Sequence, residues 1–237
     1  MKILGIDSSG LVASVAVVED DVMLAEYTVN YKKTHSQTLL PMLKEIADMI
    51  NLTLSSIDAI AVAAGPGSFT GLRIGSATAK GLGLALDKPI IAVPTVDGLA
   101  YNLYGTDKLI CPLMDARRNQ VYTGIYEFQG DDLTVIESQM AVAVSEIADK
   151  LNALGRAVIF LGDGVPVYRK VLEERMKVPF AFAPAHMNKQ RAAAVAALGE
   201  RYFACGRMDS ADEYKPDYLR LSQAERERRE KEQRADA

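Results

Sequence analysis

Apolar residues in this chain fall into two patterns: short continuous runs and broader helical stripes. The runs Lys2–Ile6, Ala13–Val18 and Met23–Val29 are broken by Asp7-Ser8-Ser9-Gly10 and by Glu19-Asp20-Asp21, which predicts a three-stranded meander at the start. A helix follows, from about His35 to Asn51. Its apolar residues Leu39, Leu40, Met42, Leu43, Ile46, Ala47, Met49 and Ile50 span an arc of about 180°, wider than the ~100° stripe that one buried face needs. Lys44, Glu45 and Asp48 hold the remaining side. Two readings fit. In one, the helix sinks into its own core. In the other, one flank packs on the sheet while Met42, Ile46 and Met49 meet another helix, such as a partner's, where methionine adapts well.

Ile57–Ala64 reads as the next strand. The turn Gly65-Pro66-Gly67-Ser68-Phe69-Thr70-Gly71 comes after it, and a helix runs from about Phe69 to Leu86. A strand at Ile90–Val93 and a helix from about Thr95 to Tyr104 lead to Gly105-Thr106-Asp107, where the pattern breaks. This divides the chain into an N-terminal lobe, residues 1–104, and a C-terminal lobe, residues 105–221. The second half restarts like the first: a strand at Leu109–Met114 ends in Asp115, as the first ended in Asp7, and Gln120–Phe128 follows. Strand, helix, strand and helix are then expected at Met140–Val144, Ser145–Leu154, Ala157–Leu161 and Val165–Met176. A strong helix over 189–205 is expected to pack back on the first lobe. Residues 222–237 form a tail dense in both charges, with no apolar stripe.

The chain has 237 residues, 49% hydrophobic and 24% charged, with a net charge of −4. That balance suits a globular protein of two lobes. A protein that grips nucleic acid unaided carries a basic surface, so any RNA here would be held mostly by another subunit. Cys111 and Cys205 lack metal-ligand spacing and read as reduced thiols. No apolar run approaches the roughly 20 residues that span a bilayer, and the expected location is the cytoplasm.

The chemistry centres on turns. Asp7-Ser8-Ser9 can hold a phosphate through hydroxyl and N–H groups, or a metal or water through the aspartate. Gly65 and Gly67 permit close backbone approach, and Ser68 or Thr70 can cap a helix whose N-terminus attracts anions. Asp7, Ser8, Ser9, Gly65, Gly67 and Ser68 are therefore the candidate nucleotide or phosphate contacts. The turn is not a P-loop, because no Gly-Lys-Ser/Thr follows, and Thr70 stands where a dinucleotide fingerprint needs its third glycine. Within the helix, Gly71, Gly75, Ala79 and Gly83 recur every fourth residue, with Gly81 and Ala85 as a second small pair. Each glycine costs about 1 kcal/mol against alanine there, so something approaches this helix closely. That neighbour is either the lobe's own sheet or another subunit. No catalytic constellation stands out, and His35 and His186 are far apart in sequence.

Together the motifs resemble the bacterial TsaB (YeaZ) family. They are Ile3-Leu4-Gly5-Ile6-Asp7-Ser8-Ser9, Thr34-His35-Ser36-Gln37-Thr38-Leu39-Leu40-Pro41 and Gly65 through Leu72-Arg73-Ile74-Gly75, with Asp115-Ala116-Arg117, Val121-Tyr122 and Pro216-x-Tyr218-Leu219-Arg220. The resemblance implies an α/β actin-like ATPase fold, two lobes each built on a mixed five-stranded sheet. It implies a role in making threonylcarbamoyladenosine at position 37 of tRNAs that read codons beginning with adenine. TsaD transfers the threonylcarbamoyl group, TsaB is its paralogous partner, and TsaE is an ATPase acting on the pair. TsaD carries a metal-binding His-x-x-x-His; the aligned positions here are Thr95 and Leu99, which supply no imidazole.

The expectation is thus a non-catalytic scaffold, with no catalytic residue, no metal and no tightly bound cofactor, and with ADP or ATP at most at the interface of the complex. The helices 35–51 and 69–86 would bundle with those of TsaD, or with a second copy when TsaD is absent. This assigns His35, Leu39, Met42, Leu43, Ile46 and Met49 of the first helix to the partner face, with Leu72, Gly75, Ser76, Ala79 and Gly83 of the second. tRNA would be met indirectly, through the complex. The alternatives are an actin-fold ATP-binding hydrolase or kinase using Asp7 and the glycine turn, and a metallopeptidase.

Overall fold

The computed structural model of the chain describes residues 1–31 and 34–219. Arg220 and the charged tail at 222–237 lie outside the described residues.

Strands β1 (Lys2–Asp7), β2 (Ala13–Glu19) and β3 (Val22–Val29) form the expected antiparallel meander. β4 (Ala59–Gly65) and β5 (Ile90–Pro94) join β1 in parallel, giving the order β3-β2-β1-β4-β5. Their crossovers are helices α1 (His35–Met49) and α2 (Phe69–Leu86). After α3 (Thr95–Tyr101) the plan repeats. β6 (Leu109–Asp115), β7 (Gln120–Gln129) and β8 (Asp132–Ala143) make a second meander, and β9 (Val158–Leu161) and β10 (Phe180–Phe182) extend it in parallel. Helices α4 (Val144–Leu154) and α5 (Gly164–Arg175) are the crossovers, and α6 (Ala192–Ala204) closes the plan as α3 closed the first. The second sheet, β8-β7-β6-β9-β10, has the strand order of the first. Two mixed five-stranded sheets flanked by helices are therefore present.

Both faces of each sheet are covered, which is why the central strands read as unbroken apolar runs. Leu4, Ile6, Val15, Val17, Ile60 and Val62 face α1 and α2. Ile3, Ala59, Ala61, Ile91 and Val93 face α6. In the second sheet Leu109, Cys111, Leu113, Val121 and Ile125 face α4 and α5, while Ile110, Met114 and Tyr126 face α3. Burial beside Thr123 pushes the Cys111 thiol up to about 12, and Cys205 is exposed.

Two strands departed from expectation. β8 begins at Asp132, not near Met140, because Gly130 closes a hairpin with β7. Its first half, with Thr134 and Glu137, lies at the sheet edge and needs no apolar run. β10 has three residues, too few for a period to register.

The lobes are joined through a buried carboxylate. Asp97 of α3 accepts the hydroxyl of Tyr126 on β7 at 2.8 Å and that of Tyr202 on α6 at 2.9 Å. Burial raises the Asp97 carboxyl above its ordinary range, and burial likewise raises both phenols. Nearby, the Asn102 side-chain amide donates to the carbonyls of Met187 and Lys189, at 3.3 and 2.8 Å.

Candidate functional site: the interlobe cleft and its glycine turn

A cleft of about 690 Å³ opens between the lobes. From the first lobe it is lined by the β1–β2 hairpin tip at Ser9, Gly10 and Leu11, by His35, and by the glycine turn at Pro66–Phe69. From the second it is lined by Asp115, Ala116, Arg117, Tyr122, Asp163 and Val167. Asp217, Tyr218 and Leu219 complete the wall.

The structure brings together the two motifs on which a phosphate site was expected, although some 60 residues separate them. The Ser68 N–H donates to the Ser9 carbonyl at 2.7 Å, and the Ser8 hydroxyl donates to the Gly71 carbonyl at 2.9 Å. Ser68, not Thr70, is the cap of α2, its hydroxyl accepting the Gly71 N–H at 3.3 Å. These contacts engage the Ser8 hydroxyl and the Ser68 and Gly71 N–H groups within the chain. A Cβ at Gly67 would collide with the Ser9 carbonyl, and one at Gly71 with that of Ser8. The glycines thus make room for the chain's own backbone. Ser9, Gly67 and Ser68 line the cleft, whereas Asp7 and Ser8 are buried in the hairpin. Within the expected contact set the N–H groups of Ser9, Gly65 and Ser68 donate to Asp7, Thr95 and Ser9 of the chain itself, and the Ser8 and Ser9 carbonyl oxygens face the turn.

Gly65 is closed from the other side. With φ at +130°, it sits where a Cβ would strike the Asp217 carbonyl. The Asp217 N–H donates to the Ala64 carbonyl at 2.7 Å, and the Asp217 carboxylate accepts the Gln139 amide at 2.7 Å. Asp217 belongs to a strap, residues 209–219, that runs along α2. Its Asp209 pairs with Ile90 at the edge of β5, Ala211 packs on Gly83, and the buried Tyr214 hydroxyl lies 3.3 Å from that of Ser76. Lys80 donates to the carbonyls of Asp212 and Tyr214, at 2.8 and 3.0 Å, and Tyr218 stacks on Phe69 with ring centroids 4.9 Å apart.

Most of the residues assigned to the partner face are buried within the chain, against the strap, the hairpin or the first sheet. Gly75 packs on Ser8, while Ser76 and Gly83 pack on the strap, so this small-residue stripe serves intrachain contacts. Leu72 and Ala79 are buried too. Leu39, Met42, Leu43 and Ile46 lie in the core between α1 and the first sheet, and His35 donates from Nε2 to the Gly10 carbonyl at 2.8 Å, facing the cleft. Of that set only Met49 is open, 75% exposed. The outward side of α2 carries Arg73, Ala77, Gly81 and Leu84, the last 62% exposed. The wide apolar arc of α1 measured how deeply the helix sinks, and it could not say against what.

Asp7 is the buried charge of the site. Its Oδ1 accepts the Ser9 N–H at 2.9 Å and the Ser9 hydroxyl at 2.7 Å, but burial outweighs both and pushes its carboxyl up to about 6. A raised carboxyl takes up a proton more readily when folded, so its contribution to stability falls as pH rises from about 4 to 6 and stays low above. Asp7→Asn keeps an acceptor for Ser9 and removes that cost. It is expected to stabilise the protein by about 3 kcal/mol at pH 7.5 and negligibly at pH 4. Urea unfolding at the two pH values measures it; a variant less stable than the parent at pH 7.5 contradicts the assignment.

Asp115 mirrors Asp7, its Oδ1 accepting the Arg117 N–H at 2.9 Å. Asp163 accepts the Asp115 N–H at 3.2 Å, and burial raises its carboxyl. The positions aligned with the absent histidine pair are internal: Leu99 is buried, and the Thr95 hydroxyl accepts the Gly65 N–H at 3.2 Å. Sequence reasoning missed the wall at Leu11, Tyr122, Val167 and Asp217. The Pro216-x-Tyr218-Leu219 motif was the available signal for the strap.

A family model described as TsaD, tRNA N6-adenosine threonylcarbamoyltransferase, matches residues 23–228. The tRNA threonylcarbamoyladenosine biosynthesis protein TsaB of Bacillus subtilis is 34% identical over 227 residues, 95% of this chain and 96% of that protein. The protein of the same name from Escherichia coli is 32% identical over 69% of this chain and 72% of its own length. Among solved structures, YeaZ from Pseudomonas aeruginosa matches with a TM-score of 0.79 and 29% identity, covering 92% of this chain and 99% of that one. The ROK hexokinase from Thermus thermophilus, at 13% identity and a TM-score of 0.50, covers 86% of this chain and 100% of that one, and shares the fold alone. The fold is that of the actin-like ATPases.

Proposed function

The chain belongs to the TsaB family, and on that premise we propose that it is the non-catalytic partner of TsaD in forming threonylcarbamoyladenosine at position 37 of tRNAs that read codons beginning with adenine. One observation carries the non-catalytic part: the glycine turn is filled from within, by Ser8 and Ser9 on one side and Asp217 on the other. A turn so occupied has little left to offer a transferring phosphoryl group, and what it does is launch α2. The partner surface is the outward side of α2, around Ala77, Gly81 and Leu84, joined by Met49 of α1. The same surface would pair two copies when TsaD is absent. TsaE acts on the assembled pair, and ADP or ATP binds at the interface of that complex, with no cofactor held tightly by this chain alone. Among the described residues no helix is long and apolar enough to cross a membrane, and the cytoplasm, where tRNA is modified, is the proposed location.

Reconstitution tests this reading. TsaD, TsaE, threonylcarbamoyl-adenylate and unmodified tRNA are expected to yield modified nucleoside by mass spectrometry only when this chain is added. Equal yield without it rejects the role. The competing hydrolase reading draws on the cleft with Asp115 and Asp163. It requires stoichiometric, magnesium-dependent ATP binding by the isolated chain, and calorimetry at millimolar ATP is expected to show none.

A further inference from the structure

The tip of the β6–β7 hairpin has an unusual backbone. Arg117, Arg118 and Asn119 have φ of 64°, 55° and 57° in succession, a region that L-residues avoid and that glycine or asparagine normally fills. The β2–β3 hairpin turns with two such residues, Asp20 and Asp21, so the third here goes beyond what turning the chain demands. The tip is also braced. Asp115 Oδ1 accepts both the Arg117 N–H, at 2.9 Å, and the Tyr168 hydroxyl, at 3.0 Å. The Asp115 N–H is held by Asp163, and the Gln120 N–H donates to the Arg117 carbonyl at 3.1 Å. Strained backbone persists where its surroundings enforce it, and such places cluster at functional sites. The result is two exposed arginines, Arg117 lining the cleft with its side chain 89% exposed and its Nε 3.9 Å from an Asp115 carboxylate oxygen, and Arg118 beside it at the tip.

The facing wall presents rings. Phe69 and Tyr218 stack on each other and are 36% and 39% exposed, and the Arg73 guanidinium lies 5.4 Å from the Phe69 ring centre. Guanidinium groups beside partly exposed aromatic rings suit a single-stranded nucleic acid, whose phosphates take the charges and whose unstacked bases pack on the rings. The carboxylates Asp115, Asp163 and Asp217 accept hydrogen bonds within the chain, and their charge would repel a polyanion from the interior of the cleft and leave the rim as its place of contact.

We propose that the Arg117–Asn119 tip, with Arg73 and the Phe69–Tyr218 ring pair, is a direct contact for single-stranded RNA of the tRNA. This rests on the function proposed above and adds that this subunit touches the substrate. The test uses the assembled heterodimer with TsaD and a fluorescent unmodified tRNA, titrated at several salt concentrations. Arg117→Gln with Arg118→Gln is expected to weaken binding by about tenfold and to reduce the slope of log affinity against log salt by about 1 to 2, with heterodimer affinity unchanged. Arg117→Lys with Arg118→Lys, which keeps the charges, is expected to retain most of the binding. Unchanged affinity and slope in the glutamine pair overturn the contact. A glutamine pair that weakens the heterodimer but not tRNA binding assigns the tip to a protein partner and overturns it equally. If the glutamine pair melts early, the lysine pair decides: weak tRNA binding at a normal melting temperature counts against the proposal. A complex that modifies tRNA normally yet ignores these substitutions removes this contact alone. A complex that works equally well without this chain removes the function itself.

Discussion

Gly65→Ala is expected to lower the thermal midpoint by roughly 10 °C, the largest loss from any single added methyl group in the cleft wall. Two penalties combine at this position. A φ of +130° is open to glycine and strained for alanine. The new methyl group would also meet the Asp217 carbonyl, backbone that cannot swing aside as a side chain can. Together they amount to about 3–5 kcal/mol, and a protein of this size loses about 2–4 °C per kcal/mol. The strap is the part that must yield, because Asp217 hangs on the Ala64 carbonyl and on Gln139. Calorimetry of Gly65→Ala beside Gly81→Ala makes the comparison internal. Gly81 lies mid-helix with open space where its Cβ would project, so alanine there should raise the midpoint by a few degrees. A Gly65→Ala melt within about 2 °C of the parent would show that the strap does not press on the turn.

Gly81→Glu should separate binding from folding. A charge on the outward side of α2 adds no clash within the chain and improves helix propensity, so the monomer should be at least as stable as the parent. Buried against TsaD, the same carboxylate would have no partner, at a cost of about 2–5 kcal/mol, or about 30- to several-thousand-fold in affinity. Co-purification with TsaD should vanish while the melting curve holds. Retained binding in a folded Gly81→Glu variant would move the partner surface off α2. Substituting the buried Met42 or Gly75 could not make this distinction, because each would disturb the chain's own core first.

Much of the first lobe was legible because local rules decide it. Continuous apolar runs marked β1, β2, β4 and β5, and Gly65–Gly71 marked a strand-to-helix turn with Ser68 as one of two candidate caps. What was not legible depends on distant residues. The empty volume beside Gly65 is filled by a carbonyl more than 150 positions away, and no pattern near Gly65 says whether ligand or backbone will fill it. The four-residue repeat in α2 announced close approach correctly and left the neighbour unnamed; the strap and the hairpin proved to be that neighbour. Asp97 lay in an apolar stretch from Val93 to Ala100 with no local partner, since Tyr126 and Tyr202 reach it from β7 and α6. The β8 edge strand was missed for a different reason: edges are half solvated, so their sequences need not be apolar.

The strap and α6 also bear on how the chain is made. One face of the first sheet waits for residues 192–204 to cover it, and α2 waits for residues 209–219. During synthesis the first lobe leaves the ribosome with Ile3, Ala61, Ile91 and Val93 uncovered, and they stay so until residues 192–204 have emerged. Contacts this far apart in sequence form slowly. The first lobe therefore completes its packing only after residues 192–219 have been made, and until then its exposed apolar face is open to the contacts that chaperones make.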